Sequence, residues 1–251
     1  MSDDFAEFPE GWERALVIAA HPDDIEWGAA AAVAAWTAAG KTVSYVLVTS
    51  GEAGIDSMDP EGATITRQAE EHASAEVVGV SEVEFLGHPD GRIEEGLGLR
   101  RDLAAVIRRH RPDVVVAQNH DERWGADPGA GWNSSDHRAV GRATIDAVSD
   151  AGNRWIFPEL AANEPWAGVQ WIAVAGAMRA THAVDVSAVL DVGIASLCAH
   201  EEYLRALGVE DIEKFARELL EGQTSGNAER FGGRAAVTFE LIPGPAAPSD
   251  G

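Results

Sequence analysis

The chain has 251 residues, 45% of them apolar, and its 42 acidic and 19 basic side chains give a formal net charge of −23. That balance excludes a surface built to hold nucleic acid or an anionic membrane, because both need clustered lysine and arginine to neutralise phosphate. No apolar run approaches the roughly 20 residues that span a bilayer, and no charged-then-apolar leader opens the chain, so a cytoplasmic protein that does not touch membrane is expected.

The length suits one large domain or two small ones, and the absence of a linker, repeat or low-complexity block favours one domain over residues 1–251. The single cysteine, Cys198, rules out an intramolecular disulfide; it lies in a helical pattern and is expected in the core. Residues 15–20 (ALVIAA) read as a buried strand, and 26–39, closed by Gly40, as the alanine-rich helix after it.

Between that strand and helix stand His21, Pro22, Asp23 and Asp24. The imidazole of His21 and the carboxylate of Asp24, three residues on, can address one centre with Asp23 beside it, a donor set that suits zinc with an open position. The competing reading is a helix entry, with Asp23 and Glu26 as a capping box and Pro22 in the first turn.

Residues 42–49 (TVSYVLVT) give a second strand, followed by the turn Gly51-Glu52-Ala53-Gly54. A helix is predicted over 65–79, a short strand over 83–86, a helix over 97–110 ended by Pro112, and a strand over 114–117 (VVVA). Residues 118–135 form a long irregular segment rich in Gly, Asn, Asp and Trp; loops of this length are usually functional or disordered, and Trp124 and Trp132 suggest the wall of a substrate cleft.

A second cluster, Ser134-Ser135-Asp136-His137-Arg138, opens a helix predicted over 137–148. A fifth strand follows at 169–175, helices at 187–207 and 210–221, a strand at 235–241 that adds an antiparallel edge, and a frayed tail over 243–251.

Strands alternating with helices imply right-handed crossovers and an α/β fold, doubly wound around a mostly parallel sheet with helices on both faces. In the usual order 3-2-1-4-5 the first and fourth strands are neighbours, and the crevice lies outside their carboxyl ends. That order brings His21, after the first strand, together with His137, after the fourth. No G-x-G-x-x-G or P-loop follows the first strand, which argues against a dinucleotide or nucleoside triphosphate there.

Taken together, AHPDD at 20–24, the 51–54 turn, Arg67 with Glu70 and Glu71, the run Leu86-Gly87-His88-Pro89-Asp90-Gly91 and Asp136-His137-Arg138 resemble the LmbE-like, PIG-L-type zinc deacetylases, over about residues 14–207. The resemblance implies a Rossmann-like fold and hydrolysis of an N-acyl group, most often the acetamide of a small amino-sugar compound. It implies His21, Asp24 and His137 as ligands of Zn2+ or another divalent metal, Asp23 as general base, and Arg67 and Asp90 as substrate contacts. An amidase acting on another conjugate, a non-catalytic zinc-binding protein of the same fold and a metal-free binding domain remain as alternatives, and a homo-oligomer is left open.

One position departs from the family pattern. A histidine usually stands three residues before the last ligand, and here that residue is Ser134. Of the remaining histidines, His72, His110 and His200 fall in helical patterns, while His88, His120 and His182 lie at the crevice end of the sheet. His182, closest after the fifth strand, is expected to supply the missing catalytic donor, with Asp185 orienting it.

Overall fold

The computed structural model describes residues 4–125 and 129–248. Residues 126–128 of the irregular segment and 249–251 of the expected tail lie outside the described residues. The strands are β1 (Ala6–Glu7), β2 (Arg14–Ala19), β3 (Thr42–Leu47), β4 (Glu82–Phe85), β5 (Val114–Ala117), β6 (Trp171–Ala175), β7 (His182–Asp185) and β8 (Ala236–Pro243). They form one sheet in the order β1-β7-β8-β6-β5-β2-β3-β4.

The segment β4-β3-β2-β5-β6 is the doubly wound order expected, all parallel, with β2 between β3 and β5. The remainder differs from expectation. β8 is antiparallel but internal, pairing with β6 through Ala175 opposite Phe239 and with β7 through His182 opposite the same Phe239. The edge on this side is β1, a two-residue strand beside β7, and the opposite edge is β4. The chain after β8 is tied down rather than frayed, since the Gly244 and Ala246 amides donate to the Gln170 and Val169 carbonyls.

The helices are α1 (Ala30–Ala38), α2 (Pro60–Val77), α3 (Leu97–His110), α4 (Ser135–Gly152), α5 (Leu190–Cys198), α6 (Glu201–Ala206) and α7 (Ile212–Gly226). Strand alternation divides the core. Leu16, Ile18, Val115 and Val174 face α3 and α4, whereas Val17, Ala19, Tyr45 and Val116 face the layer that contains α1. Phe8, Trp12, Trp36 and Phe239 form an aromatic cluster there, with Trp36 stacked on Phe239 at 5.7 Å.

Several helices depart from the expected bounds: α2 begins five residues before the expected 65, α4 runs on to Gly152 rather than 148, and α7 runs on to Gly226 rather than 221. The one expected from residue 26 starts at Ala30, because residues 22–29 make a series of turns in which Asp23 takes φ of 93° and Ile25 accepts from both the Ala29 and Ala30 amides. The one expected over 187–207 is two helices, α5 and α6. They are parted at His200, which is fully buried and precedes the first residue of α6. Cys198 is half-buried against the cluster of Ile194, Leu197 and Leu220.

Candidate active site

The turn after β2 and the N-terminus of α4 meet where the winding reverses, as the strand order requires. Ser134 caps α4, its hydroxyl accepting from the His137 amide at 3.1 Å. This sets His137 on the first turn, facing His21. His137 Nε2 lies 3.2 Å from His21 Nδ1 and 3.0 Å from Asp24 Oδ1, and His21 Nδ1 lies 3.2 Å from Asp24 Oδ2. Donors around a tetrahedral ion bound at about 2.0–2.2 Å are roughly 3.3–3.6 Å apart, so the two ring nitrogens and the Asp24 carboxylate, which turns one oxygen to each of them, already stand close to a ligand set.

The outer partners fit as well. A ligating histidine ordinarily gives its other ring nitrogen to a carboxylate or carbonyl, which fixes the tautomer. His21 Nε2 faces Asp90 Oδ1 at 3.1 Å and Asp136 Oδ2 at 3.3 Å, and His137 Nδ1 faces Asn133 Oδ1 at 3.0 Å. Asp136 is buried and also accepts from the Gly91 and Ile93 amides, so it binds the loop after β4 to the site. Burial opposes charge on His21, but Asp24, Asp136 and Asp90 outweigh it and push the imidazole up to about 12. Burial likewise opposes charge on Asp24, yet His137 and His21 hold its carboxyl well below the usual range. Two imidazole nitrogens and a carboxylate, backed by two further carboxylates, are a donor set suited to a divalent cation.

Asp23 does not cap a helix. Its Oδ2 accepts from Trp27 Nε1 at 2.7 Å, its Oδ1 pairs with the Arg67 guanidinium, and its amide donates to Glu71 Oε2 at 3.2 Å. Burial, offset in part by Arg67, pushes the Asp23 carboxyl up to about 7. The positive φ of this non-glycine residue is a strained conformation that the surrounding bonds enforce.

Arg67, fully buried in the middle of α2, also donates to the Pro22 carbonyl and stacks on Tyr203 at 3.6 Å. The 51–54 turn explains itself around this guanidinium. A Cβ at Gly54 would stand 2.2 Å from Arg67 Nη1, and one at Gly51, where φ is 67°, 3.0 Å from Cζ.

His21, Asp24, His137, Asp23, Arg67 and Asp90 therefore line one cavity, of about 920 Å3. Trp124 lines it too, edge-on to His137 at 5.5 Å, whereas Trp132 lies between Arg123 and Arg138 and does not. The structure does not bring His182 to this group. It begins β7, beyond β8, its Nδ1 is 2.8 Å from Thr181 Oγ1, burial pushes its pKa down, and it is not in the cavity wall. The physical reason is the insertion of β8. Instead of ending near β5, the chain after β6 crosses over to the other side of β8.

Sequence reasoning missed Tyr203 and Trp27, and it read Glu26 as a helix cap and His200 as a helical residue, whereas both join Glu71 in a buried set. Tyr203 lines the cavity, and burial together with Asp23 pushes its phenol up to about 12, so it stays an O–H donor. His200 Nε2 lies 3.3 Å from Glu26 Oε2 and 3.8 Å from Glu71 Oε2 behind Asp23. The i, i+4 spacing of Asp23 and Trp27 was the signal available for Trp27; Tyr203, on α6, and His200, just before it, come from far along the chain and carry no motif.

An α/β sheet with two histidines and one carboxylate, a candidate cation site, gathered outside its carboxyl ends defines the class of the protein. The family model described as PIG-L, GlcNAc-PI de-N-acetylase, matches residues 16–148, and the chain belongs to that family. It is similar to the diacetylchitobiose deacetylase of Thermococcus kodakarensis, 27% identical over 92% of this chain and 84% of that one. It is also similar to the 1D-myo-inositol 2-acetamido-2-deoxy-alpha-D-glucopyranoside deacetylase of Kineococcus radiotolerans, 30% identical over 54% of this chain and 44% of that one. Among solved structures, the N,N'-diacetylchitobiose deacetylase of Pyrococcus horikoshii shares the fold, with TM-score 0.80 and 24% identity over 92% of this chain and 84% of that one. Among the described residues, no helix is long and apolar enough to cross a membrane.

Proposed function

We propose that this protein is a metal-dependent hydrolase that removes an N-acyl group from a small amino-sugar compound. The observation that carries the reading is the convergence of His21 Nδ1, Asp24 and His137 Nε2 to within 3.0–3.2 Å of one another, with Asp23 in the same cavity. The names of the relatives, deacetylases of acetamido sugars, support it.

His21, Asp24 and His137 would hold zinc or another divalent ion. When bound, the ion supplies a Lewis acid that polarises the amide carbonyl and makes water acidic enough to react near neutral pH.

The remaining work falls to this chain's side chains. Asp23 takes a proton from water and returns it to the departing amine, and a carboxyl near 7 is matched to both transfers. Its two oxygens offer about four lone-pair sites, of which Trp27 and Arg67 use one each, so acceptor capacity remains. Asp136 and Asn133 fix the rings of His21 and His137. Tyr203, an un-ionised donor in the cavity wall, supplies the hydrogen bond to the developing oxyanion that position 134 does not, because Ser134 does not line the cavity. Arg67, Asp90 and Trp124 bound the side that receives the sugar.

The test is acetate release from a panel of N-acetylated amino sugars, with metal content measured on the same samples. Activity that a chelator removes and a divalent ion restores is expected. Ser134 also favours a second reading, a cation-binding protein without turnover; stoichiometric metal with no acetate release across the panel would identify it.

A further inference from the structure

The cavity that holds the site is larger and more apolar than an acetamido sugar requires. At about 920 Å3 it stands at the upper end of the roughly 300–1,000 Å3 that accommodate drug-sized ligands. It continues from His21 and Asp24 between the sheet and the helices, where its walls include Val17, Ala19, Val116 and Val237 from the strands and Leu219 and Leu220 from α7. Val17 and Val116 are 2% and 1% exposed, so this part of the cavity is internal.

The space follows from composition. Ala29 and Ala31 face it with nothing beyond Cβ, and Gly28 has no Cβ at all. A Cβ built at Gly28 would meet no atom closer than the Asp24 carbonyl at 4.0 Å. The alanine-rich stretch therefore leaves open the volume that larger side chains would have filled.

From this geometry we infer that the annex receives the acyl chain of the substrate, and that the preferred acyl group is a medium-length alkanoyl rather than acetyl. The inference rests on the proposed hydrolysis of N-acyl amino sugars. With the scissile carbonyl held at His21, Asp24 and His137, the two substituents must lie on different parts of the cavity. Sugar hydroxyls need polar partners, and Arg67, Asp90, Tyr203 and Asn119 cluster with the site. The valine, alanine and leucine walls offer those hydroxyls no partner, and of the polar residues that line the cavity beside them, Thr224 and Asn227 already donate to the Leu220 and Ala236 carbonyls, whereas an alkyl chain loses little there. In the reaction the carbonyl carbon gains an oxygen from water and loses its bond to nitrogen. The alkanoic acid and the free amino sugar are released, and the water proton passes to the amine.

The experiment compares kcat/KM for glucosamine carrying N-acetyl, N-butanoyl, N-hexanoyl and N-octanoyl groups. Each methylene buried is expected to raise kcat/KM up to about fourfold, the equivalent of about 0.8 kcal/mol, so hexanoyl should exceed acetyl by up to about 10²-fold. Gly28→Leu, which is free of backbone strain, and Leu219→Trp, at a half-buried position, should each cut the hexanoyl-to-acetyl ratio at least tenfold while the melting temperature and metal content hold. Acetyl as the best substrate with an unchanged ratio in both variants would overturn the inference and leave the deacetylase reading intact. A gain with hexyl glycosides of N-acetylglucosamine instead would also overturn it, by placing the chain on the amine side. Should nothing be hydrolysed, the function reading fails. Calorimetric binding of N-hexanoyl- against N-acetylglucosamine then decides the annex on its own, with equal affinities counting against it.

Discussion

Gly141→Ala separates local propensity from tertiary packing more sharply than any other single change. Gly141 is buried in the middle of α4, where alanine is favoured over glycine by roughly 0.8–1.0 kcal/mol on helix propensity alone. The added Cβ would, however, stand 2.4 Å from the Gln118 carbonyl oxygen and 2.8 Å from His120 Cβ, in the segment leaving β5. Neither is the far end of a flexible side chain, so helix and loop must separate by the better part of an ångström. Overpacking of this kind costs about 1–3 kcal/mol, and a backbone clash belongs at the upper end. Set against the propensity gain, a net loss of about 1–2 kcal/mol is expected. For a chain of this size that lowers Tm by about 2–8 °C. The same shift loosens the site, because Asn133, which orients His137, is tied by its Nδ2 to the Asn119 and Asp121 carbonyls of the displaced segment. The assays are thermal denaturation and titration of metal against a competing chelator. A variant that melts higher than the parent would refute the reasoning, since propensity would then have outweighed the contact.

Asp136→Asn removes the charge behind His21 Nε2 and should weaken metal affinity about 10–100-fold, read by chelator competition; unaltered affinity would mean that Asp90 alone orients the ring. Asp23→Asn should retain metal while turnover falls roughly 10²–10⁴-fold, whereas Asp24→Asn should lose the metal itself. Identical behaviour of those two variants in both assays would dissolve the distinction between base and ligand. Tyr203→Phe should lower kcat by roughly 10²–10³ with metal content unchanged, the usual result of removing one oxyanion donor. Full activity in Tyr203→Phe would transfer that role to another group in the cavity wall.

The parts of the fold legible in the sequence are those that depend on short-range pattern. The runs at 15–20, 42–49, 83–86, 114–117 and 169–175 and the periodic helices between them imply five parallel strands and their order, since handedness leaves few other ways to wind them. Given that order, His21 and His137 had to meet, and they do, at 3.2 Å. The motif residues Asp23, Arg67 and Asp90 fall into the same cavity because each sits at a turn or on a helix carried by those strands.

What depended on pairings distant in sequence was not legible. Strand alternation at 236–243 announces a strand but not its neighbours, and only the packed sheet decides that β8 inserts between β6 and β7. That insertion removes His182 from the crevice. Tyr203 reaches the cavity from a helix some 180 residues after Asp23, through a stack on Arg67 that no local spacing encodes. The apolar annex is a property of volume: alanines at 29 and 31 read as helix formers in one dimension and become a void only when sheet and α7 close around them. Local sequence sets backbone preference and spacing within a few turns, whereas burial, cavities and cross-chain contacts arise from which surfaces finally exclude water together.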